Sequence, residues 1–333
     1  MMLFCLIACK ENTMKIKELN PIPDAAYAKG VSAPFCGMAG DILVVAGGAN
    51  FPDKSLLDGG QKRVYADIWA YVGDSWQHAG LMPDSTAYGA TFSVGKDLVF
   101  AGGNVNGKTT DKVFKVSIDG GKATLTELPP LPVPMEQSGW AQADGTLIIG
   151  GGVGTRDIYS CAPDSFDWKK VAELPEPLVQ PVFYKEGDVL YVWGGFNPET
   201  LEVSDKGLCL KEGGWTEAAG IPDKGTFTGA TGASLPGGGV ITVGGVNRDI
   251  FSRALHNTPE DRIPYLSKKP EEYKFRKEVY LFKAAQGWKT IGTEDFCALA
   301  GAGVAAACDK CAYVAGGELK PGVRSPRIFK LEW

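Results

Sequence analysis

Positive charge is in short supply in this chain of 333 residues, where 34 Lys and Arg stand against 39 Asp and Glu for a net charge of -5. No basic cluster offsets that balance, which excludes a nucleic-acid partner on electrostatic grounds. Long apolar runs are missing as well. Nothing approaches the roughly 18 consecutive apolar residues that a membrane-crossing helix needs. Histidine is reduced to His78 and His256. Of the cysteines Cys5, Cys9, Cys36, Cys161, Cys209, Cys297, Cys308 and Cys311, only the last two have motif spacing. One Cys-x-x-Cys without a second pair or a neighbouring histidine does not make a zinc site. Asp309 and Lys310 between two strand-like runs predict a hairpin tip instead, with a disulfide across it left open.

Glycine is what the sequence has in excess, 44 residues, or about twice the usual ~7%. Much of it falls in pairs that end apolar runs: "ILVVAGG" to Gly48, "LVFAGG" to Gly103, "LIIGGG" to Gly152, "LYVWGG" to Gly195, "VITVGG" to Gly245 and "AYVAGG" to Gly317, at separations of 55, 49, 43, 50 and 72 residues. None is followed by the Lys-Ser/Thr of a phosphate loop or sits in Gly-x-Gly-x-x-Gly, so the pairs are structural. A period near ~50 with Gly-Gly closing a hydrophobic strand is the kelch pattern, one four-stranded blade per repeat. A repeat also lifts the size limit that would otherwise divide so long a chain.

The rest of each repeat follows. Alternating strands come after the glycines, as in "DIWAY", "VFKV", "DIYS" and "EVYLF". Trp76, Trp168, Trp215 and Trp288 come next as blade-packing residues. The last repeat stops before its fourth strand, whereas residues 14 to 23, "MKIKELNPIP", look like one. The expected fold is therefore all-β, a six-bladed kelch-type β-propeller over residues 14–333, its ring closed by the N-terminal strand pairing with the C-terminal blade, which leaves no open edge. Residues 1–13 are expected to be a signal or lipoprotein segment, or an unstructured terminus. "MMLFCLIA" ahead of Cys9 resembles the end of a lipoprotein signal with its Leu6-Ile7-Ala8-Cys9 box, which predicts export to the periplasm and a lipid anchor at Cys9.

In such a topology every segment after a Gly-Gly opens on one mouth. The long ones are residues 49–66 and 246–277, joined by "ELKPGVRSP". Long loops on one mouth of a rigid scaffold suit a binding site. Glu318 and Arg324, a carboxylate and a guanidinium in one short loop, are the candidate chemical pair.

The segments "GGANFPD", "AYG", "GGVNRDIF" and above all "GGELKPGVR" resemble those of the bacterial N-acetylneuraminate epimerases, the sialic acid mutarotases, in a cyclically permuted order. This resemblance implies conversion of the α anomer of N-acetylneuraminate to the β anomer without a cofactor or metal. It also implies a catalytic Glu and Arg that fall on Glu318, as general base, and Arg324, as anchor for the substrate carboxylate. Asn50, Tyr88, Gln180, Asn247 and Arg248 are the candidate substrate-binding residues. The stretch Ser55 to Arg63, "SLLDGGQKR", departs from the family pattern, so contacts from that loop are not carried over. A homodimer is left open.

Three other functions compete. A non-catalytic propeller binding a glycan or a protein would make Glu318 and Arg324 a mere surface pair. A copper oxidase would need two converging histidines, which an outer strand for His78 and a long insert for His256 do not supply. A sialidase would need an arginine triad and intact Asp boxes, and "SIDGG" and "APDSFDW" are at best broken ones.

Overall fold

The computed structural model describes residues 14–333. The expected leader segment and Cys9 lie outside the described residues. What is described is all-β, with many four-stranded antiparallel sheets and two short α-helices. The first sheet is Phe35–Ala39, Ile42–Ala46, Asp67–Val72 and Ser75–Leu81. Four more sheets follow the same meander, begun by Ala90–Val94, Gly139–Ala143, Val179–Glu186 and Ala230–Ser234. The sixth takes Gly303–Cys308, Cys311–Ala315 and Ile328–Glu332 from one end of the chain and Lys15–Glu18 from the other. Lys15 faces Glu332 and Glu18 faces Phe329, as residues 14 to 23 led one to expect. Arg327 clamps the join, donating from Nε and Nη2 to the Glu18 carboxylate at 2.8 and 2.9 Å.

The double glycines do the work their spacing implies. Both members of each pair have positive φ, a region open to glycine at no steric cost. A Cβ on Gly316 would lie 2.3 Å from the Val31 carbonyl oxygen, so only glycine lets the two segments touch. The second glycine then donates across to the next sheet: Gly48 to Thr86 O, Gly103 to Met135 O, Gly152 to Leu178 O, Gly245 to Leu299 O and Gly317 to Val31 O. The last of these joins the sixth sheet to the first. Among the described residues the junction of the fourth and fifth sheets has no bond of this kind. It is packed instead with aromatic rings, Trp193 against Phe282 at 4.7 Å and against Trp288 at 4.8 Å.

Of the expected packing tryptophans, Trp76 and Trp168 are buried, and Trp76 and Trp215 donate their indole N–H to Asn20 O and Glu173 O. Cys308 and Cys311 are disulfide-bonded across the hairpin tip. Residues 246–277, expected only as a long loop, contain helix α1 (Arg248–Leu255) and helix α2 (Arg262–Leu266). Asn247 starts α1, its side-chain oxygen accepting from Ile250 N, the ordinary N-cap role of asparagine.

Candidate functional site

At or within two residues of the start of the first strand of each sheet lies a position with left-handed backbone: Ala33, Tyr88, Gln137, Gln180, Gly229 and Gly301, with φ of 51, 66, 54, 61, 72 and 58°. Their amides and carbonyls run head to tail. Gly301 N donates to Gly229 O, Ala33 N to Gly301 O, Tyr88 N to Ala33 O, Gln137 N to Tyr88 O and Gln180 N to Gln137 O, all at 2.7 to 3.0 Å. Left-handed backbone is uncommon for residues with a side chain and gathers at functional sites. Here all six positions line one shared cavity of about 170 Å³, to which Tyr88, Gln137 and Gln180 bring polar side chains.

That cavity is lined by Tyr88, Gln137, Gln180, Trp140, Phe251 and Glu318. Its lower wall, with Cys36, Thr91, Trp140 and Val304, also borders a cavity of about 600 Å³ among the turns at the other ends of the strands. Gln180 Nε2 donates to Gln137 Oε1 at 2.6 Å, so the two amides form one polar wall. Tyr88 and Gln180 were expected from the sequence. Gln137 was missed, although "MEQSG" occupies the same place in its repeat as "TAYG" in another.

Glu318 owes its position to the repeat. The residues directly behind the six double glycines are Ala49, Asn104, Val153, Phe196, Val246 and Glu318, and only the last is charged. Its backbone is tied in both directions to Ala300, N to O at 2.7 Å and O to N at 2.9 Å. It opens a tight hairpin, Glu318–Lys320 with Val323–Arg324. One carboxylate oxygen, Oε1, accepts from Gly322 N at 2.9 Å and from Arg324 Nη1. Oε2 has no partner among the described residues. Both long loops bear on this hairpin. Leu56 packs at Gly322, and Lys320 Nζ donates to Leu266 O and Lys268 O at 3.0 and 2.6 Å. Burial first, and then negative neighbours that include Glu318, push the Tyr265 and Tyr273 hydroxyls up to about 12. They therefore stay neutral phenols at physiological pH. Cys36 is also unreactive, its thiol pushed up to about 12 by burial.

Four expectations need correction. Arg324 does not face the cavity. Its side chain is 4% exposed, its Nε donates to Ala49 O and its guanidinium lies 5.4 Å from the Phe51 ring. It holds Glu318 through Nη1 and is not among the residues that line the cavity. Asn50 is 1% exposed and is fully engaged by the protein: Nδ2 donates to Ala26 O and Gly30 O, and Oδ1 accepts from Tyr65 at 2.7 Å. Asn247 and Arg248 border a separate cavity under α1, Asn247 as the helix cap and Arg248 in a 2.5 Å ion pair with Asp205. From the insert it is Val246 and Phe251 that line the Glu318 cavity. His78 pairs with Asp67 and His256 with Ser252 O, so the two are on different elements.

Replacing Arg324 tests the first correction. Arg324→Met is expected to lower stability by about 3 kcal/mol, because it leaves a half-buried carboxylate without its cation. A urea melt monitored by tryptophan fluorescence measures this, and a change within ~0.5 kcal/mol, ordinary for a surface site, would mean that the pair is not structural.

Comparison with known proteins bears on this geometry. The curated N-acetylneuraminate epimerase of Brucella suis is 34% identical over 116 residues, 32% of this chain and 30% of the relative. That of Salmonella enteritidis is 28% identical over 232 residues, 62% of this chain and 59% of the relative. The chain thus matches less than two thirds of the length of either. The solved structure of YjhT superposes with a TM-score of 0.54 at 25% identity, covering 62% of this chain and 65% of that one. A family model described as "NANM: N-acetylneuraminate epimerase" matches residues 6–125 and 128–332. By that match, which takes in the Glu318 hairpin and both long loops, the chain belongs to the N-acetylneuraminate epimerase family.

Proposed function

We propose that this chain is a sialic acid mutarotase, an isomerase that speeds conversion of the α anomer of N-acetylneuraminate to the β anomer by proton transfer at Glu318. The observation that carries this is the Glu318 carboxylate, the one charged group among six equivalent positions, with Oε1 held by Arg324 and Gly322 and Oε2 without a partner among the described residues, on a largely apolar cavity that also carries Tyr88, Gln137 and Gln180. In the reaction Oε2 takes the proton of the anomeric hydroxyl while the bond from the anomeric carbon to the ring oxygen breaks. The same carboxyl hands that proton to the ring oxygen, which gives the open-chain keto acid. Rotation about the freed carbon and closure on its other face reverse both transfers. No bond is left changed in order and no electrons are exchanged, so the chemistry calls for no cofactor.

The scaffold in this proposal is a six-bladed kelch-type propeller over residues 14–333, its ring closed where Lys15–Glu18 joins the last sheet. The cyclic order of the backbone links and the Gly317 to Val31 bond support it. Export to the periplasm with lipid at Cys9 belongs to the same proposal and rests on the Leu6-Ile7-Ala8-Cys9 box. The deciding experiment follows freshly released α-N-acetylneuraminate by proton NMR with and without the protein. Equal rates of anomer exchange would leave a sugar-binding or protein-binding scaffold.

A further inference from the structure

Among the described residues Glu318 is the only charged one on the cavity wall, while a sialic acid brings a carboxylate of its own on the anomeric carbon. A second negative charge beside Glu318 requires a cation, and Arg324, buried and off the cavity wall, already donates from Nε to Ala49 O and from Nη1 to Glu318. Other cations of the surrounding loops are also engaged: Arg63 with Asp53 at 3.2 Å, Arg248 with Asp205 at 2.5 Å, and Lys320 with two backbone carbonyls. Lys62 differs from these. It lies in the loop after Gly48, is exposed, and pairs with no carboxylate among the described residues. Its Nζ instead donates to the hydroxyl of Tyr88 at 3.2 Å and lies 5.1 Å from the centre of that ring.

From this geometry we infer that Lys62 and Tyr88 together form the carboxylate anchor of the substrate, an inference that rests on the function proposed above. A lysine N–H donated to the Tyr88 oxygen leaves the phenol proton free to point elsewhere, and Tyr88 has no acceptor among the described residues. The hydroxyl therefore offers one donor to the cavity, and the ammonium retains two more N–H groups beside it. Tyr88 is fixed for this task. Its φ is 66°, its N–H donates to Ala33 O, and its carbonyl accepts from Gln137 N. The lysine is on a mobile four-carbon stem and can follow the carboxylate as the anomeric carbon changes face, which a guanidinium locked against Phe51 and Ala49 cannot do. Arg324 keeps Glu318 in place, and Lys62 receives the substrate.

The test uses the full chain with Lys62→Met and Lys62→Arg, and with two substrates, N-acetylneuraminate and its methyl ester, whose carboxylate is masked. Removing a charge-assisted contact is expected to raise KM for the acid about 10- to 100-fold in Lys62→Met. Lys62→Arg recovers most of it, and the preference for acid over ester collapses in the methionine variant. An unchanged KM with an unchanged acid-to-ester preference overturns the anchor and leaves the mutarotase proposal intact. If the wild-type chain does not speed anomer exchange, that proposal fails separately. Calorimetric titration of the acid then decides for Lys62: weaker binding by the same factor in Lys62→Met supports the anchor. Equal affinity, or no binding to the wild type, overturns it.

Discussion

Glu318→Gln is expected to slow anomer conversion by about 10² to 10⁴, the range for one positioned proton transfer, with little change in fold. The substitution is nearly isosteric. The amide oxygen can still accept from Gly322 N and Arg324, the two groups that hold Oε1. At the free end an amide nitrogen replaces Oε2 and cannot take a proton from the anomeric hydroxyl. Circular dichroism and the thermal midpoint report whether the hairpin survives, and NMR of the α anomer reports the rate. A folded Glu318→Gln with near wild-type rate means that the base is another group and removes the central assignment.

A chain trimmed to begin at Asp24 is expected to lose its cooperative melt or to melt at least 10 °C lower. The trimmed strand makes every backbone pair along Lys15–Glu18, and Leu19 N extends it to Ile328 O. Leu19 and Ile22 are buried in the core shared by the first and sixth sheets. At about 1.5 to 3 kcal/mol for each such side chain and about 1 kcal/mol net for each hydrogen bond, the loss is of the order of a whole domain's stability. The Trp76 indole would also lose the Asn20 carbonyl, and Ile328–Glu332 would become an open edge, prone to pairing with other chains. Differential scanning calorimetry with light scattering measures both effects. An unchanged midpoint would mean that the sheet stands without its N-terminal strand.

What could be seen in the sequence followed the repeat, and what could not lay outside it. The six glycine pairs, the strands behind them and the pairing of residues near 15 with those near 330 all recur or complete a recurring unit, so one observation supports another. Glu318 stood out in the sequence with Arg324 in the short loop behind the last glycine pair, and the structure adds that the five sister positions have no charge. The insert has no sister, and its helix α1 and the reach of Phe251 had no pattern to betray them. Asn50 misled because its partners, the carbonyls of Ala26 and Gly30, are more than a turn or loop away in sequence. A buried amide and a ligand-binding amide look alike in one dimension. Arg324 is the subtler case. Pro321 and Gly322 predict a tight turn that brings it to Glu318, and they do. The spacing does not say which of the two side chains ends on the outside, and packing against Phe51 and Ala49 decides it.

The clamp between Arg327 and Glu18 joins residues 309 apart in the chain, and the ladder beside it spans as much. Contacts so distant in sequence are slow to form, because the loop they close must be ordered before they return any stability. During synthesis the strand Lys15–Glu18 emerges early and finds no partner until nearly the whole chain has followed it. For that interval its neighbour Leu19 and the core it caps are exposed, a period when aggregation competes with folding. The charges of the strand itself, Lys15, Lys17 and Glu18, all exposed in the finished sheet, keep the waiting segment soluble.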